Sequence, residues 1–178
     1  MNRYRHKKPR PPLDPEALER LAFHYVGRYA TTRAKLAAYL RRKIAERGWV
    51  DESPLPIERL VERFTGAGYV DDAAFASARA ASLQRRGYGE HRVAQALKAA
   101  GIDEADSADA REEASEGAWA AALRFAKRKR IGPYAPQEPD RAGRERAYAA
   151  MLRAGHRSEF VRRIINARPG AIPEMEKL

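Results

Sequence analysis

The chain has 178 residues, 44% of them hydrophobic and 33% charged, and carries a formal net charge of +11 at pH 7. It contains no cysteine, which excludes disulfides, thiolate chemistry and a cysteine zinc site. The charge predicts a polyanionic partner, whether nucleic acid, an acidic protein surface or an anionic membrane. No apolar run reaches the length of a membrane span and no apolar core follows the basic N-terminus. We therefore expect a soluble cytoplasmic protein with no membrane partner.

The N-terminal residues, 1–13, are rich in basic residues and proline. This composition predicts a disordered basic arm, either a solvated tail or an arm that contacts phosphates. Asp14-Pro15-Glu16 then has the pattern of a helix start, with a capping aspartate, a proline at the first position and an acid in the first turn. The first helix is therefore predicted to begin there.

Two further helices follow in the first part of the chain. Thr31 or Thr32 is expected to cap the second helix, which ends at Gly48-Trp49. A linker with two prolines leads to a third helix that ends near Gly68-Tyr69. The apolar residues of this third helix have helical spacing and are Ile57, Leu60, Val61 and Phe64.

The sequence pattern of the rest of the chain predicts six more helices. Asp71-Asp72 opens one that ends at Gly87, and Gly89-Glu90 opens one that ends at Gly101. Residues 103–116 are strongly acidic and lack large apolar side chains, so we expect a helix that packs weakly. The remaining helices are expected from about residue 116 to 130, over 141–154 and from Ser158 onward, with a proline-containing loop at 132–139.

The second helix of each group of three follows the same pattern. Gly48, Gly101 and Gly155 lie 53 and then 54 residues apart, each preceded by apolar residues at helical spacing and followed by a bulky residue. This period predicts an all-α protein of three tandem three-helix, helix-turn-helix-like repeats in an elongated, curved arrangement. We assign the repeats to residues 14–70, 71–115 and 116–167, with a tail at 168–178. Chance recurrence of glycine after helices is the alternative.

The residue types of known catalytic sites are not grouped in this sequence. The four histidines show no metal-ligand spacing, and no phosphate-binding Gly-x-x-x-x-Gly-Lys-Ser/Thr loop is present. Asp71-Asp72 resembles a carboxylate pair, but a helix cap explains it and no third acid accompanies it at metal spacing. We therefore expect no catalytic residue, no metal and no cofactor, and predict that the protein is not an enzyme.

Basic residues form several clusters on the predicted helices and at their ends. Cations favour helix C-termini, and this preference alone explains part of the pattern. The excess in every repeat further predicts a positive surface that contacts a nucleic-acid backbone or an acidic filament. Tyr88 could stack on a base, although packing against its helix is the simpler interpretation. The candidate binding residues are Arg41, Arg42, Lys43, Arg47, Arg79, Arg85, Arg86, Arg92, Lys98, Lys127, Arg128, Lys129 and Arg130.

Several motifs resemble those of one known family. They are Gly68-Tyr69-Val70-Asp71-Asp72-x-x-Phe75-Ala76, then Arg86-Gly87-Tyr88-Gly89-x-x-Arg92-Val93, then Thr32-Arg33-Ala34-Lys35-Leu36 and Arg153-Ala154-Gly155 with Phe160. Together they resemble RecX, the bacterial regulator of the RecA recombinase. The resemblance covers roughly residues 18–165 and is strongest in the second predicted repeat.

The resemblance implies an all-helical fold of three-helix repeats and a non-enzymatic role. Members of the family bind RecA filaments on single-stranded DNA and inhibit recombinase and co-protease activity, and some also contact DNA. We therefore expect RecA and single-stranded DNA within its filament as partners, with duplex DNA a further possibility, and a monomeric protein acting in DNA repair and the SOS response. The alternative is a stand-alone helix-turn-helix protein that binds DNA or RNA, such as a transcription regulator.

Overall fold

The structure, a computed structural model, describes residues 11–50 and 56–175. These residues confirm the predicted all-α fold, since they form no strand and their only extended pairing is a single bridge between Leu13 and Trp49. None of their helices is long and apolar enough to cross a bilayer. The helices are α1 (Pro15–Arg28), α2 (Arg33–Arg47), α3 (Ile57–Gly66), α4 (Asp72–Arg85), α5 (Glu90–Ala99), α6 (Glu104–Glu116), α7 (Ala118–Lys129), α8 (Arg141–Arg153) and α9 (Ser158–Ile165).

The chain separates into two compact units, Met1–Asp71 and Asp72–Leu178. The first contains α1 to α3 and the second contains α4 to α9. The division of the second unit into two repeats of three helices stays a prediction. The predicted loop at 132–139 includes a short 3₁₀ turn, Gly132–Tyr134.

The first unit has one core, formed where the apolar stripes of α1, α2 and α3 meet. Leu18, Leu36, Leu40 and Phe64 are almost fully buried there. Both predicted helix starts are confirmed, because Asp14 Oδ1 accepts a hydrogen bond from the Ala17 amide at 2.7 Å and Thr32, not Thr31, accepts one from the Lys35 amide at 3.2 Å.

The predicted N-terminal arm, residues 1–13, extends too far along the chain, because its last residues belong to the folded unit. Leu13 is fully buried in the core, its amide donates to the Gly48 carbonyl at 2.9 Å, and its carbonyl accepts from the Val50 amide at 3.1 Å. The Arg47 guanidinium also donates two hydrogen bonds to the Pro11 carbonyl, at 2.8 and 3.0 Å. Residues 11–13 are therefore part of the folded unit, and the rest of the predicted arm, 1–10, lies outside the described residues.

The predicted glycine helix ends are confirmed, with one variation. After α3, α4, α5 and α8, the residue following the glycine donates to a carbonyl in the last helical turn, as in the Tyr88-to-Leu83 bond of 3.0 Å and the His156-to-Met151 bond of 3.3 Å. Gly48 ends α2 differently, since its carbonyl bonds to the Leu13 amide instead.

The acidic helix α6 packs more closely than we expected. Ala110 and Ala114 are almost fully buried, together with Ala76 and Ala80 of α4. Because alanine side chains are short, two helix backbones can approach each other without large apolar residues. The Gln84 amide group also donates to the Ala114 carbonyl at 2.9 Å. The absence of large apolar residues from α6 therefore reflects close packing rather than weak packing.

Two helix ends meet directly inside the second unit. The Gly89 and His91 amides, at the start of α5, donate to the Ala154 and Gly155 carbonyls at the end of α8, at 2.9 and 3.2 Å. A Cβ atom built at Gly155 would lie 2.4 Å from the Arg92 nitrogen, so only glycine fits there. The end of α8 therefore caps the start of α5, and this contact fixes the two helices against each other.

Candidate polyanion-binding surface

The C-terminus of α4 and α7 form a contact rich in arginine in the second unit. The Arg124 guanidinium donates to the Gln84 carbonyl at 3.2 Å, and the Arg128 guanidinium donates to the Arg86 carbonyl. The two helices can approach closely because Gly87 has no side chain. A Cβ atom built there would lie only 2.8 Å from the Phe125 nitrogen. This contact places Arg124 and Arg128 next to the candidate residues Arg85 and Arg86. We call these four residues the arginine cluster.

Tyr88 lies beside this cluster. The guanidinium carbons of Arg86 and Arg128 are 5.3 and 5.8 Å from its ring centroid, distances at which a cation is attracted to an aromatic ring. The ring is half-buried and packs against the apolar cores of both halves of the second unit. Its packing role is therefore evident, and its contacts with arginine help to order the cluster.

The arginine cluster has no neutralising acid in the described part of the chain. All four side chains are exposed, and none of them has a hydrogen bond or ion pair to a carboxylate among residues 11–50 and 56–175. The carbonyls at the end of α4 attract two of these guanidinium groups, as expected at the negative end of a helix dipole. Arg85 has no such contact with any described residue, so its charge stays available to an external anion.

Other candidates of the second unit lie apart from this cluster. Arg79 is exposed on α4 and has no polar partner among the described residues. Arg92 donates to the Gln95 side chain at 3.5 Å on α5, and Lys98, on the same helix, lines a cavity with the acids Asp103 and Glu104. The structure therefore does not place Arg92 and Lys98 in contact with the cluster.

The basic end of α7 continues beyond Arg128. Lys127, Lys129 and Arg130 are exposed, and Arg130 has a left-handed backbone with φ of 53°. Lys129 and Arg130 line a cavity of about 370 Å³ together with Arg146 of α8. Arg146 was not among our candidates, although Arg141 and Arg144 precede it closely in the sequence.

The candidates of the first unit already have partners within the protein. Arg41 pairs with Glu58 at 2.6 Å, and a backbone hydrogen bond together with this arginine lowers the pKa of the Glu58 carboxyl. Lys43 and Arg42 share Glu46, at 2.6 and 3.6 Å. Arg47 holds the Pro11 carbonyl. Arg41, Arg42 and Lys43 therefore have carboxylate partners, whereas the arginine cluster has none in the described part of the chain.

Sequence reasoning missed two arginines that the structure makes important. Arg124 lies one helical turn before Arg128 on α7, and this spacing is the signal that could have identified it. Arg157 binds Glu90 with both ends of its guanidinium, at 2.5 and 2.7 Å, and also donates to the Ser115 hydroxyl at 2.7 Å. The Arg157 guanidinium lowers the pKa of the Glu90 carboxyl. This pair ties α5 and α6 to the start of α9.

His156 is a buried titratable side chain near this surface, and its pKa shifts strongly. It is 3% exposed and lies 5.3 Å from the Phe125 ring in an edge-on arrangement. Burial lowers its pKa to about 4, so the imidazole is neutral at pH 7. The described residues contain no group of three acids or histidines that could hold a metal ion.

Comparison with known proteins places this fold in a family. A family model described as the second three-helix domain of RecX matches residues 71–110. The protein called Regulatory protein RecX in Myxococcus xanthus (strain DK1622) is 34% identical over 176 residues, which cover 92% of this chain and 91% of that protein. The chain belongs to the RecX family of regulatory proteins. The resemblance seen in the sequence motifs is thereby confirmed.

Other RecX proteins agree with this assignment. Regulatory protein RecX of Stenotrophomonas maltophilia (strain R551-3) is 33% identical over 124 residues, covering 70% of this chain and 72% of that protein. The crystal structure of RecX from Lactobacillus salivarius matches with a TM-score of 0.60 and 17% identity, over 84% of this chain and 93% of that one. At this identity the structural match supports the fold alone. The region matched by the family model includes Arg85 and Arg86 of the arginine cluster.

Proposed function

We propose that this protein is a non-enzymatic regulator that binds RecA and its filament on single-stranded DNA. In this proposal it inhibits recombinase and co-protease activity in DNA repair and the SOS response. The observation that carries the proposal is the arginine cluster: four exposed guanidinium groups without a carboxylate partner among the described residues, in a protein of the RecX family.

The chemistry of the cluster suits phosphates and acidic protein surfaces alike. A guanidinium presents a planar set of donors that matches both phosphate and carboxylate oxygens. Contact with DNA phosphates would release counterions, so affinity would fall as salt concentration rises. A protein held on the filament in this way would obstruct its growth or the approach of a second DNA strand. The proposal assigns no catalytic residue.

The test measures binding of the full-length protein to RecA assembled on fluorescently labelled single-stranded DNA. We expect Arg85→Glu to weaken binding roughly tenfold, because reversing one unpaired charge replaces attraction by repulsion. The matched control is Arg111→Glu on α6, which changes the net charge equally at an exposed residue outside the cluster. Equal weakening by both variants would indicate a general charge effect and would contradict a role for the cluster.

A second variant separates binding from folding. Arg85→Glu combined with Arg86→Glu should weaken binding further while the helical circular-dichroism signal remains unchanged. Loss of that signal would show that these residues are structural. If the protein instead bound a preferred duplex site without RecA, and that binding resisted salt better than binding to random DNA, the alternative of a stand-alone helix-turn-helix regulator would replace this proposal.

A further inference from the structure

A separate aromatic and basic surface lies on the first unit. The Tyr25 and Tyr39 rings, from α1 and α2, stack with centroids 4.1 Å apart and an angle of 13° between their planes. The Tyr29 ring lies 5.4 Å from the Tyr25 ring, at the end of α1. We call these three residues the tyrosine patch.

Core packing explains only part of this patch. Tyr25 and Tyr39 are half-buried and pack against the core of the first unit, so their mutual stacking helps α1 and α2 to cross. Tyr29 does not belong to that core, and 52% of its surface is exposed. An aromatic side chain exposed to this extent, next to two stacked rings, leaves much of its apolar surface accessible to solvent.

Among the described residues, three cations lie beside rings of the patch. The Arg28 guanidinium carbon is 5.9 Å from the Tyr29 ring centroid, and Arg42 and Lys43 are 5.7 and 5.8 Å from that of Tyr39. Glu46 pairs with Lys43 and Arg42, which leaves the group positively charged. Arg28 has no carboxylate partner in the described part of the chain, so its charge stays available beside the most exposed ring.

We propose that the tyrosine patch binds single-stranded nucleic acid by stacking unpaired bases. A base would stack on the exposed Tyr29 ring, beside the Tyr25–Tyr39 pair, while the Arg28 guanidinium contacts a flanking phosphate. Alternation of aromatic faces with cations is the usual composition of sites that bind single strands without sequence preference.

The rings favour single strands over the other polyanions. In a duplex the base faces are covered by neighbouring pairs, so a tyrosine platform gains nothing from them. An acidic peptide would satisfy the cations but would leave the exposed Tyr29 ring without a flat partner. The inference deepens the proposed function, on which it rests for the presence of DNA at the binding surface, and assigns direct DNA contact to the first unit.

The test uses the full-length protein and no recombinase, so its outcome is independent of whether RecA is bound. Fluorescence anisotropy measures binding to a labelled oligothymidine of about 20 nucleotides at low salt. We expect Tyr29→Leu to weaken binding roughly tenfold, the loss typical of one stacked base, while Tyr29→Phe keeps the ring and binds within about twofold of the unchanged protein.

Tyr69 provides a matched control in the same unit. It is 53% exposed, almost the same as Tyr29, but its ring contacts Phe23 and Phe64 rather than the tyrosine patch. Tyr69→Leu should leave oligothymidine binding unchanged. If Tyr69→Leu weakens binding as much as Tyr29→Leu, or if Tyr29→Leu has no effect, the tyrosine patch is not the site and the inference fails.

A photochemical experiment locates the contact without substitution. An oligonucleotide carrying 5-iodouracil, irradiated with the full-length protein, should cross-link to a peptide that contains Tyr25, Tyr29 or Tyr39. Unlabelled oligothymidine should compete, and equal masses of duplex DNA or polyglutamate should compete more weakly. Cross-links confined to other peptides, or equal competition by polyglutamate, would overturn the proposal and would point to a site for acidic protein.

Discussion

At the scale of single residues, Arg130 stands out because it occupies a backbone conformation that usually belongs to glycine. Its φ is 53°, and the Ile131 amide behind it donates to the Ala126 carbonyl at 2.9 Å, as at the glycine helix ends elsewhere in the chain. A left-handed conformation costs a residue with a Cβ about 1 kcal/mol or more relative to glycine. Having arginine rather than glycine at position 130 therefore lowers the free energy of unfolding.

Replacing this arginine by glycine should stabilise the protein. We expect Arg130→Gly to raise the free energy of unfolding by about 1 kcal/mol, because the strain disappears. Urea unfolding measures this change. Lys129→Gly is the control, since glycine at the last helical residue should destabilise by roughly 0.5–1 kcal/mol. Destabilisation by Arg130→Gly would contradict a strained arginine.

His156 makes stability depend on pH. The folded protein keeps the imidazole neutral down to about pH 4, whereas the unfolded chain takes up a proton near the ordinary value of 6.5. Between these values the unfolded state binds more protons, so this contribution is complete above pH 6.5 and is lost as pH falls towards 4. The loss amounts to about 3 kcal/mol at most.

The variant His156→Leu isolates this effect. Chemical denaturation at several pH values between 5 and 7 should show that the unchanged protein loses stability on acidification and that the variant loses much less. The helical circular-dichroism signal at pH 7 is the control that both proteins are folded. Parallel profiles for His156→Leu and the unchanged protein would show that another group causes the pH dependence.

At the scale of helices, the contact between the end of α8 and the start of α5 depends on Gly155. Its φ is 88°, and a Cβ there would meet the Arg92 backbone. Gly68 has a similar φ of 77° but has open space where a Cβ would be. These two glycines separate the cost of backbone strain from the cost of a steric clash.

Alanine substitution at these two glycines should therefore lower the free energy of unfolding by unequal amounts. Gly68→Ala should cost about 1–2 kcal/mol, which is the strain alone. Gly155→Ala should cost more, about 3 kcal/mol or above, because α5 and α8 must also separate. Each value is measured on the unfolding transition of the unit that contains the glycine. Equal losses at both positions would show that the two helices are not held as closely as described.

Sequence patterns predicted the helices well because helix signals are local. The caps Asp14 and Thr32 and the glycine ends could be read within a few residues. The arginine cluster could not be predicted in full, because Arg124 meets Gln84, which is 40 residues away in the chain. Leu13 was missed for the same reason, since its partners in the bridge come from the end of α2.

The small side chains of α6 gave a misleading signal. A helix with few large apolar residues usually packs weakly, yet Ala110 and Ala114 are buried against α4. Whether short side chains mean a loose helix or a close one depends on the partner surface, and that surface is known only once α4 and α6 are placed together. Patterns within a single helix carry no such information.

At the scale of the whole molecule, the cations behind the net charge of +11 differ in whether an acidic side chain pairs with them. In the first unit Arg41, Arg42 and Lys43 are paired with acids, whereas the arginine cluster of the second unit has no acid partner among the described residues. This difference makes the second unit the main candidate for the proposed contact with the RecA filament and leaves the tyrosine patch as a distinct surface on the first.

The most direct test of the central claim is ATP hydrolysis by RecA of the same organism on single-stranded DNA. Added at a concentration equal to that of RecA, the protein should suppress hydrolysis and strand exchange. The variant with Arg85→Glu and Arg86→Glu should restore both, and Arg111→Glu should inhibit like the unchanged protein. Hydrolysis and strand exchange that remain unchanged in the presence of the folded, unchanged protein would contradict the proposed function.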